Sequence, residues 1–253
     1  MPAPILILTS FVVGILIGLT SMGGAALMTP FLIAAVGVQP LFAVGTDLVY
    51  SSITKILGAW VHYRHGKVDV RTACYLASGS IPGSFLGFSS LKLVQRMGMD
   101  ANVYLKHALG IMLVLVAATV LFRAFWPNAG VSFTIPKQHV RKLTIAWGAL
   151  VGFGVGMTSV GSGSLTAPFL ILLYAESPDR LVATDVFHAA FLVGATALLY
   201  GGSGQVEWGL VPLLLAGSLP GVVLGSYLSR HVPALKLRLV LGIVLFATGI
   251  RMI

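Results

Sequence analysis

Long apolar runs separated by short polar connections cover almost the whole chain. The first run, from Ile5 to Val36, has roughly 32 residues, whereas one transmembrane helix needs about 20. A glycine- and hydroxyl-rich stretch interrupts this run, so the pattern predicts two shorter arms, Ile5–Leu19 and Leu27–Val36. Three further runs predict transmembrane helices at Phe42–Val61, Thr72–Leu91 and Tyr104–Phe122, the middle one with a break or kink at Pro82-Gly83.

The second half of the chain repeats the first. Residues 14–87 align without gaps on residues 152–225, and roughly a third of the aligned positions are identical. The matches fall on Gly, Pro, Thr and Asp, which determine backbone geometry or chemistry, rather than only on Leu and Val. We therefore divide the chain into a first membrane repeat (1–122), a cytoplasmic linker (123–142) and a second membrane repeat (143–253).

The basic loop residues indicate how the two repeats are oriented, because cytoplasmic loops of membrane proteins are enriched in Lys and Arg. The loop at 62–71 carries three of them, whereas its counterpart at 200–209 carries none and contains Glu207. Parallel repeats would divide the basic residues almost evenly between the two sides. If each interrupted run is a hairpin that returns to its own side, the repeats are inverted, with about eleven basic residues inside and four outside. The loops predicted to be cytoplasmic are then 62–71, 123–142, 175–181 and 228–239.

The composition agrees with a protein embedded in the bilayer. Hydrophobic residues make up 57% of the chain and charged residues only 9%, whereas soluble domains contain about 25% charged residues. The net charge of +9 is explained by the basic loops, so we expect no nucleic-acid partner. The sequence thus predicts an all-α, polytopic membrane protein with two inverted repeats, each a broken-helix hairpin plus about three transmembrane helices.

The two glycine-rich interruptions are the candidate substrate site. A break inside the membrane frees backbone N–H and C=O groups, which are tolerated only against protein or a water-filled cavity. Inverted repeats with such breaks are typical of secondary transporters, and the N-terminus of a half-helix suits an anion. The alternative is that the glycines only allow close helix packing. The candidate residues are Thr20, Ser21, Gly23 and Gly24 in the first break and Thr158, Ser159, Gly161, Ser162 and Gly163 in the second.

Three ionisable residues lie within the predicted spans and are candidates because charge inside a membrane is costly. Lys55 is a candidate countercharge for the substrate or an ion-pair partner for an Asp. Asp47 and Asp185 occupy equivalent positions, where they either carry a coupling proton or brace the broken helices through hydrogen bonds. Their neighbours, which we consider as supports for the site, are Thr46, Tyr50, Thr184 and His188.

No enzyme motif is recognisable, the six His residues show no metal-binding spacing, and no cofactor is expected. The sequence therefore predicts a protein that is not an enzyme.

Several of these motifs together resemble the TauE/SafE family of bacterial membrane permeases, over nearly the whole chain. They are the two breaks ending in Pro-Phe-Leu, Val44-Gly-Thr-Asp47, Thr54-Lys55, the loop His65–Asp69 and the segment Gly217–Gly221. The resemblance implies a small secondary transporter, often one that exports sulfite or organosulfonates such as sulfoacetate.

We accordingly expect a multi-pass exporter of a small sulfur-containing anion in the bacterial inner membrane, coupled to protons and alternating access around the two breaks. The alternatives are a passive anion channel and a permease for another small anion such as thiosulfate. The oligomeric state is open, with a homodimer as one option.

Overall fold

The computed structural model describes residues 2–20, 25–125, 137–228 and 234–253. These residues form helices joined by short connections, and no strand occurs among them. In chain order the helices are α1 (Ala3–Thr20), α2 (Ala25–Phe31), α3 (Pro40–Arg64), α4 (Val70–Arg96), α5 (Ala101–Phe125), α6 (Lys137–Thr158), α7 (Thr166–Leu173), α8 (Pro178–Gly202), α9 (Leu210–Leu228) and α10 (Ala234–Met252). The predicted all-helical fold is confirmed.

Three helices of the described part, α5, α8 and α9, are long and apolar enough to cross a membrane on their own composition. Many large apolar side chains on the outer faces of the helices are exposed, among them Leu86, Leu198 and Val223. In water such surfaces would drive aggregation, whereas in a bilayer they contact lipid. The chain is therefore a multi-pass membrane protein.

Both interrupted runs form broken helices. In the first half, α1 ends at Thr20 and α2 begins at Ala25, then continues through a π-helical turn, Leu32–Val36, that ends at Gly37. In the second half, α6 ends at Thr158 and α7 begins at Thr166. Between them, residues 162–165 form turns, and Gly161 and Gly163 have positive φ angles that an α-helix does not use.

Of the two alternatives predicted at Pro82-Gly83, a break or a kink, the break is wrong. Helix α4 runs without interruption from Val70 to Arg96, and α9 likewise runs through Pro220. A proline removes one intrahelical hydrogen bond, and neighbouring helices in a membrane protein can compensate for it. Here the glycine-rich faces of α4 and α9 pack closely on α6 and α1, which keeps both helices continuous.

The helices pair between the two halves rather than within them. Helix α1 packs on α9 and α6 packs on α4, in both cases through small residues. Gly14 of α1 lies against Ser218 of α9, and Gly152 of α6 lies against Ser80 of α4. A Cβ at either glycine would overlap the facing backbone, so these two pairs need glycine for their close approach. The same contact thus occurs twice, at equivalent positions.

The remaining two pairs show the relative direction of the halves. Gly45 near the start of α3 contacts the end of α8, whereas Tyr63 near the end of α3 stacks on Phe187 near the start of α8, with ring centroids 5.6 Å apart. Helices α5 and α10 also run antiparallel, because Gly110 contacts Gly249 and Arg123 contacts Arg238. Equivalent helices therefore point in opposite directions, which is the geometry of inverted repeats.

The connection between the halves is shorter than the predicted linker. Helix α5 ends at Phe125 and α6 begins at Lys137, so residues 137–142 are helical rather than part of a loop. Basic side chains at the start of a helix remain hydrated at the membrane surface. Their polarity therefore predicts a linker, although the backbone is helical. The repeat boundaries themselves stay a prediction.

Candidate functional site

A cavity of about 330 Å³ lies between α5, α7, α8 and α10 and extends inward to α3. Its inner part is formed by Lys55, Ser162, Gly163, Ser164 and Asp185. Its outer part includes Arg123, Asp179 and Arg238, which lie in or beside the loops that we predict to be cytoplasmic. The volume lies at the lower end of the range for small-molecule sites, about 300–1,000 Å³.

Lys55 marks the inner part of the cavity. Its Nζ atom donates a hydrogen bond of 2.6 Å to Ser162 Oγ, in the break between α6 and α7. No carboxylate of the described residues lies within ion-pair distance of Lys55, although Asp47 and Asp185 are both within electrostatic range. An ammonium has three donors, so after the bond to Ser162 two remain for an anion.

The backbone of the second break is held in conformations that helices do not use. Gly161 and Gly163 have φ angles of 119° and 96°, and Ser159 has a φ angle of 65°. A left-handed conformation costs a non-glycine residue on the order of 1 kcal/mol, so other contacts must stabilise Ser159. The turn brings Ser162, Gly163 and Ser164 to the cavity wall, directly before α7.

Asp47 supplies the contact that stabilises Ser159. Its carboxylate is fully buried and accepts hydrogen bonds from Ser159 Oγ at 2.6 Å, Thr29 Oγ1 at 2.8 Å and Ser51 Oγ at 3.2 Å. Ser51 lies on the same helix, whereas Thr29 belongs to α2 and Ser159 to the break in the other half. Asp47 therefore ties the two broken helices together through α3.

Asp185 is the equivalent residue in the second half, but its surroundings differ. It lines the cavity, and its buried Oδ1 atom has no hydrogen-bond partner. The sequence explains this difference, because alanines at positions 167 and 189 replace the hydroxyls of Thr29 and Ser51. The nearest titratable neighbour on its own helix is His188, whose Nδ1 lies 3.9 Å from Asp185 Oδ1.

His188 and Tyr50 are buried at equivalent positions, one turn from each Asp. The Nε2 atom of His188 is 2.7 Å from Ser80 Oγ in α4, and Tyr50 lies near Ser218 in α9, the equivalent of Ser80. The Nδ1 atom of His188 has no hydrogen-bond partner. His188 thus connects α8 to the glycine-rich pair of α4 and α6 by a hydrogen bond, whereas Tyr50 lies beside the equivalent pair of α1 and α9.

Thr46 and Thr184 hold loops rather than line the cavity. The Oγ1 atom of Thr46 accepts a hydrogen bond of 3.0 Å from the backbone N–H of Glu207, and Thr184 Oγ1 accepts one of 2.9 Å from that of Asp69. These two contacts occupy equivalent positions in the repeats. Each threonine therefore anchors a loop of the opposite half.

The structure brings only some of the predicted substrate residues to the cavity: Lys55, Ser162 and Gly163. Thr158 is fully buried and ends α6, donating to Gly154 O at 2.8 Å and accepting from Val160 N–H at 3.2 Å. Gly161 packs against apolar side chains instead. Ser21, Gly23, Gly24 and the side chain of Thr20 lie outside the described residues.

The sequence of this site and of the helices around it matches one known family. The model of the family described as "Sulfite exporter TauE/SafE" covers residues 6–252. The chain belongs to the sulfite exporter TauE/SafE family. It is therefore a membrane transporter, as the resemblance implied.

Relatives of this TauE/SafE chain are themselves described as transporters. The "Probable membrane transporter protein YjnA" of Bacillus subtilis is 41% identical over 253 residues, with 98% of each chain covered. YunE of the same organism is 26% identical, covering 98% of this chain and 96% of its own, and MJ0441 of Methanocaldococcus jannaschii is 24% identical, covering 99% and 95%. No solved structure matches the chain.

Sequence reasoning missed several polar residues of this TauE/SafE site. Thr29 and Ser51 bond to Asp47, but neither has a hydroxyl at the equivalent position, so the repeat did not reveal them. Arg123 and Arg238 were counted only as loop charges. The sequence signal that could have revealed Thr29 is that it lies directly before Pro30 and carries the one side-chain hydroxyl in α2.

Proposed function

We propose that this chain is a secondary transporter that exports a small sulfur-containing anion, sulfite or an organosulfonate such as sulfoacetate, across the bacterial inner membrane in a proton-coupled cycle. The observation that carries the proposal is a cavity that leads from one face to Lys55 and a helix break. A cation beside serine hydroxyls and a helix N-terminus in a concave, partly apolar site is suited to a small oxyanion.

In this proposal Lys55 holds the negative charge of the substrate, while Ser162, Ser164 and the backbone at Gly163 donate hydrogen bonds to its oxygens. Lys55 Nζ already lies 2.6 Å from Ser162 Oγ, so both groups can contact one oxyanion. The first break completes the site, with Thr20, Ser21, Gly23 and Gly24 as donors from the opposite half. Such hydrogen bonds are strong because one partner is charged.

In this proposal, alternating access arises because the two repeats have different conformations. Around Asp185 a cavity is open, whereas the equivalent positions around Asp47, including Val44 and Leu48, are fully buried. Exchanging the conformations of the two repeats would close the first cavity and open an equivalent one on the other face. The hydrogen bonds from Thr29 and Ser159 to Asp47 are then the contacts that keep the outer side closed.

The coupling proton is carried by Asp185 in this proposal, and Asp47 braces the broken helices. Asp185 faces the cavity with one oxygen free of hydrogen bonds, whereas Asp47 is bonded to three hydroxyls. The titratable and charged groups around Asp185 are His188 and Asp179 on α8, Lys55 on α3, Arg123 on α5 and Arg238 on α10. A proton on Asp185 changes the net charge beside Lys55, and therefore changes the affinity for an anion.

A passive anion channel is the alternative from another class. A channel needs a path that is open at both ends, and the buried contacts of Asp47 oppose such a path. A permease for thiosulfate would use the same Lys55 site with a different anion. The reconstitution below separates these functions.

The test is transport into proteoliposomes that contain the purified protein. Uptake of labelled sulfite, sulfoacetate and thiosulfate is measured with and without a pH gradient, with Lys55→Gln as the variant that lacks the central cation. We expect saturable uptake that rises against a concentration gradient when the pH gradient is imposed. Flux that never saturates and never accumulates substrate would show a channel, and no flux of any of these anions would refute the proposal.

A further inference from the structure

Two arginines lie together in the outer part of the cavity. Arg123 is in the last turn of α5 and Arg238 near the start of α10, and both side chains are half-buried. Arg238 Nη1 donates a hydrogen bond of 3.4 Å to the backbone carbonyl of Arg123. The antiparallel packing of α5 and α10 therefore holds two like charges close to each other.

Within the described residues neither arginine forms an ion pair. The acidic groups that line the same cavity are Asp179, which is exposed in the first turn of α8, and Asp185, which lies at the inner part beside Lys55. The position of Asp179 also has a structural reason, because an acidic residue stabilises the N-terminus of a helix. Two half-buried guanidinium groups in a concave site thus lack a full countercharge, and such a site attracts anions.

We propose that Arg123 and Arg238 form a second anion-binding site, at the mouth of the cavity, which captures the anionic substrate from the cytoplasm before it reaches Lys55. The proposal rests on the proposed function and assigns the entry step of that transport. Its ligand is a small oxyanion or an acid group, namely a sulfite, sulfonate or carboxylate. A planar guanidinium binds such groups in a bidentate manner, whereas Lys55 provides a compact single charge.

Capture at the mouth has a kinetic signature. Charges that steer a ligand into a cleft change the association rate and its salt dependence more than the later steps. Arg123→Gln and Arg238→Gln therefore raise KM at the cytoplasmic face, with about a tenfold rise for the double variant, and leave kcat close to that of the unmodified protein. Asp179→Asn removes a repelling charge from the same mouth and lowers KM about two- to threefold.

The first measurement is uptake of labelled sulfite into inside-out membrane vesicles, whose outer surface is the cytoplasmic face, as a function of sulfite and salt concentration. Lys236→Gln is the matched control, because Lys236 lies on α10 two residues before Arg238, is exposed and does not line the cavity. We expect the KM changes only in the cavity variants, and we expect them to shrink at high salt. Equal KM values for Lys236→Gln and the double arginine variant, or no fall for Asp179→Asn, would overturn the assignment.

The second measurement does not need transport. Equilibrium binding of labelled sulfite to purified Lys55→Gln protein isolates the outer site, and we expect salt-sensitive binding that disappears when Arg123→Gln and Arg238→Gln are added. Arg123→Lys with Arg238→Lys, which keeps the charge, retains binding with lower affinity and shows that loss is not misfolding. Binding that is unchanged by the arginine substitutions refutes the outer site, whereas absence of flux by the unmodified protein refutes the proposed function instead.

Discussion

The hydrogen bond from Thr29 to Asp47 should control how often the outer side opens. Thr29→Val removes the hydroxyl while nearly keeping the side-chain shape, and the equivalent position in the second half, in α7, is occupied by the apolar Ala167. The bond joins α2 to α3 at 2.8 Å inside a fully buried cluster. Loss of this hydrogen bond therefore destabilises the conformation in which the outer side is closed, relative to the exchanged conformation in which the outer side is open.

Two ranges of hydrogen-bond free energy give the expected size of this destabilisation. Hydrogen bonds to charged groups contribute about 1.5–3 kcal/mol, whereas hydrogen bonds between membrane helices average about 0.6 and reach about 1.7 kcal/mol. The ranges overlap near 1.5 kcal/mol, which corresponds to roughly a tenfold change in an equilibrium constant. Ser51→Ala is the matched control, because its 3.2 Å bond to Asp47 stays within α3 and joins no second element.

The assay measures the population of the conformation with an open outer side, through the labelling rate of a reporter cysteine. Cys74 is exposed and is first replaced by Ser, and Val44→Cys then places a thiol at a fully buried position whose equivalent, Val182, lines the open cavity. The rate of labelling by an impermeant thiol reagent from the outer face is proportional to the population of the exchanged state. We expect a rise of about tenfold in Thr29→Val and little change in Ser51→Ala. Equal rates in the two variants would refute the assignment of Asp47 as the contact that closes the outer side.

Three further predictions concern the coupling proton, the substrate and the packing. Asp185→Asn should abolish the pH dependence of transport while Asp47→Asn retains it, as measured by sulfite uptake at a series of pH gradients; the reverse pattern would assign the proton to Asp47. Lys55→Gln should raise KM about 10- to 100-fold, since it removes a charge-assisted contact, and unchanged uptake kinetics would exclude Lys55 from the site. Gly152→Ala should lower the free energy of unfolding in detergent by about 1–3 kcal/mol, because the added Cβ would overlap the backbone of Ser80. Gly194 has open space around it, so Gly194→Ala should have little effect. Equal melting temperatures of the two variants would contradict the close packing at Gly152.

The fold was predictable from the sequence because its signals are local and repeated. Apolar runs of defined length predict the helices, and the glycine-rich interruptions predict the two broken ones. The pairing of the halves was not predicted, since Gly14 and Gly152 could pack on any helix with a small-residue face. The error at Pro82 has the same cause, because a local rule for proline does not include the packing of α4 on α6.

The site was predictable where the two halves agree and where a charged residue interrupts an apolar span. The repeat drew attention to Asp47 and Asp185 as equivalent residues, yet two of the three hydroxyls that bond to Asp47, those of Thr29 and Ser51, are replaced by alanines around Asp185. Lys55 was found because a charge inside a span is rare, and its contact with Ser162 lies 107 residues away in sequence. Contacts of that kind depend on the fold and leave no signal in one sequence.

The pairing of α1 with α9 has a consequence for how the protein is made. The glycine face of α1 (Ala3–Thr20) has its partner in α9 (Leu210–Leu228), near the other end of the chain. At about 5–20 residues per second, the ribosome finishes α9 roughly 10–40 s after α1 has left it. During that time α1 has no native neighbour from the second half, and insertion machinery or lipid must cover its exposed backbone. Biogenesis therefore cannot proceed one half at a time, and two halves produced as separate polypeptides should accumulate only when they are synthesised together.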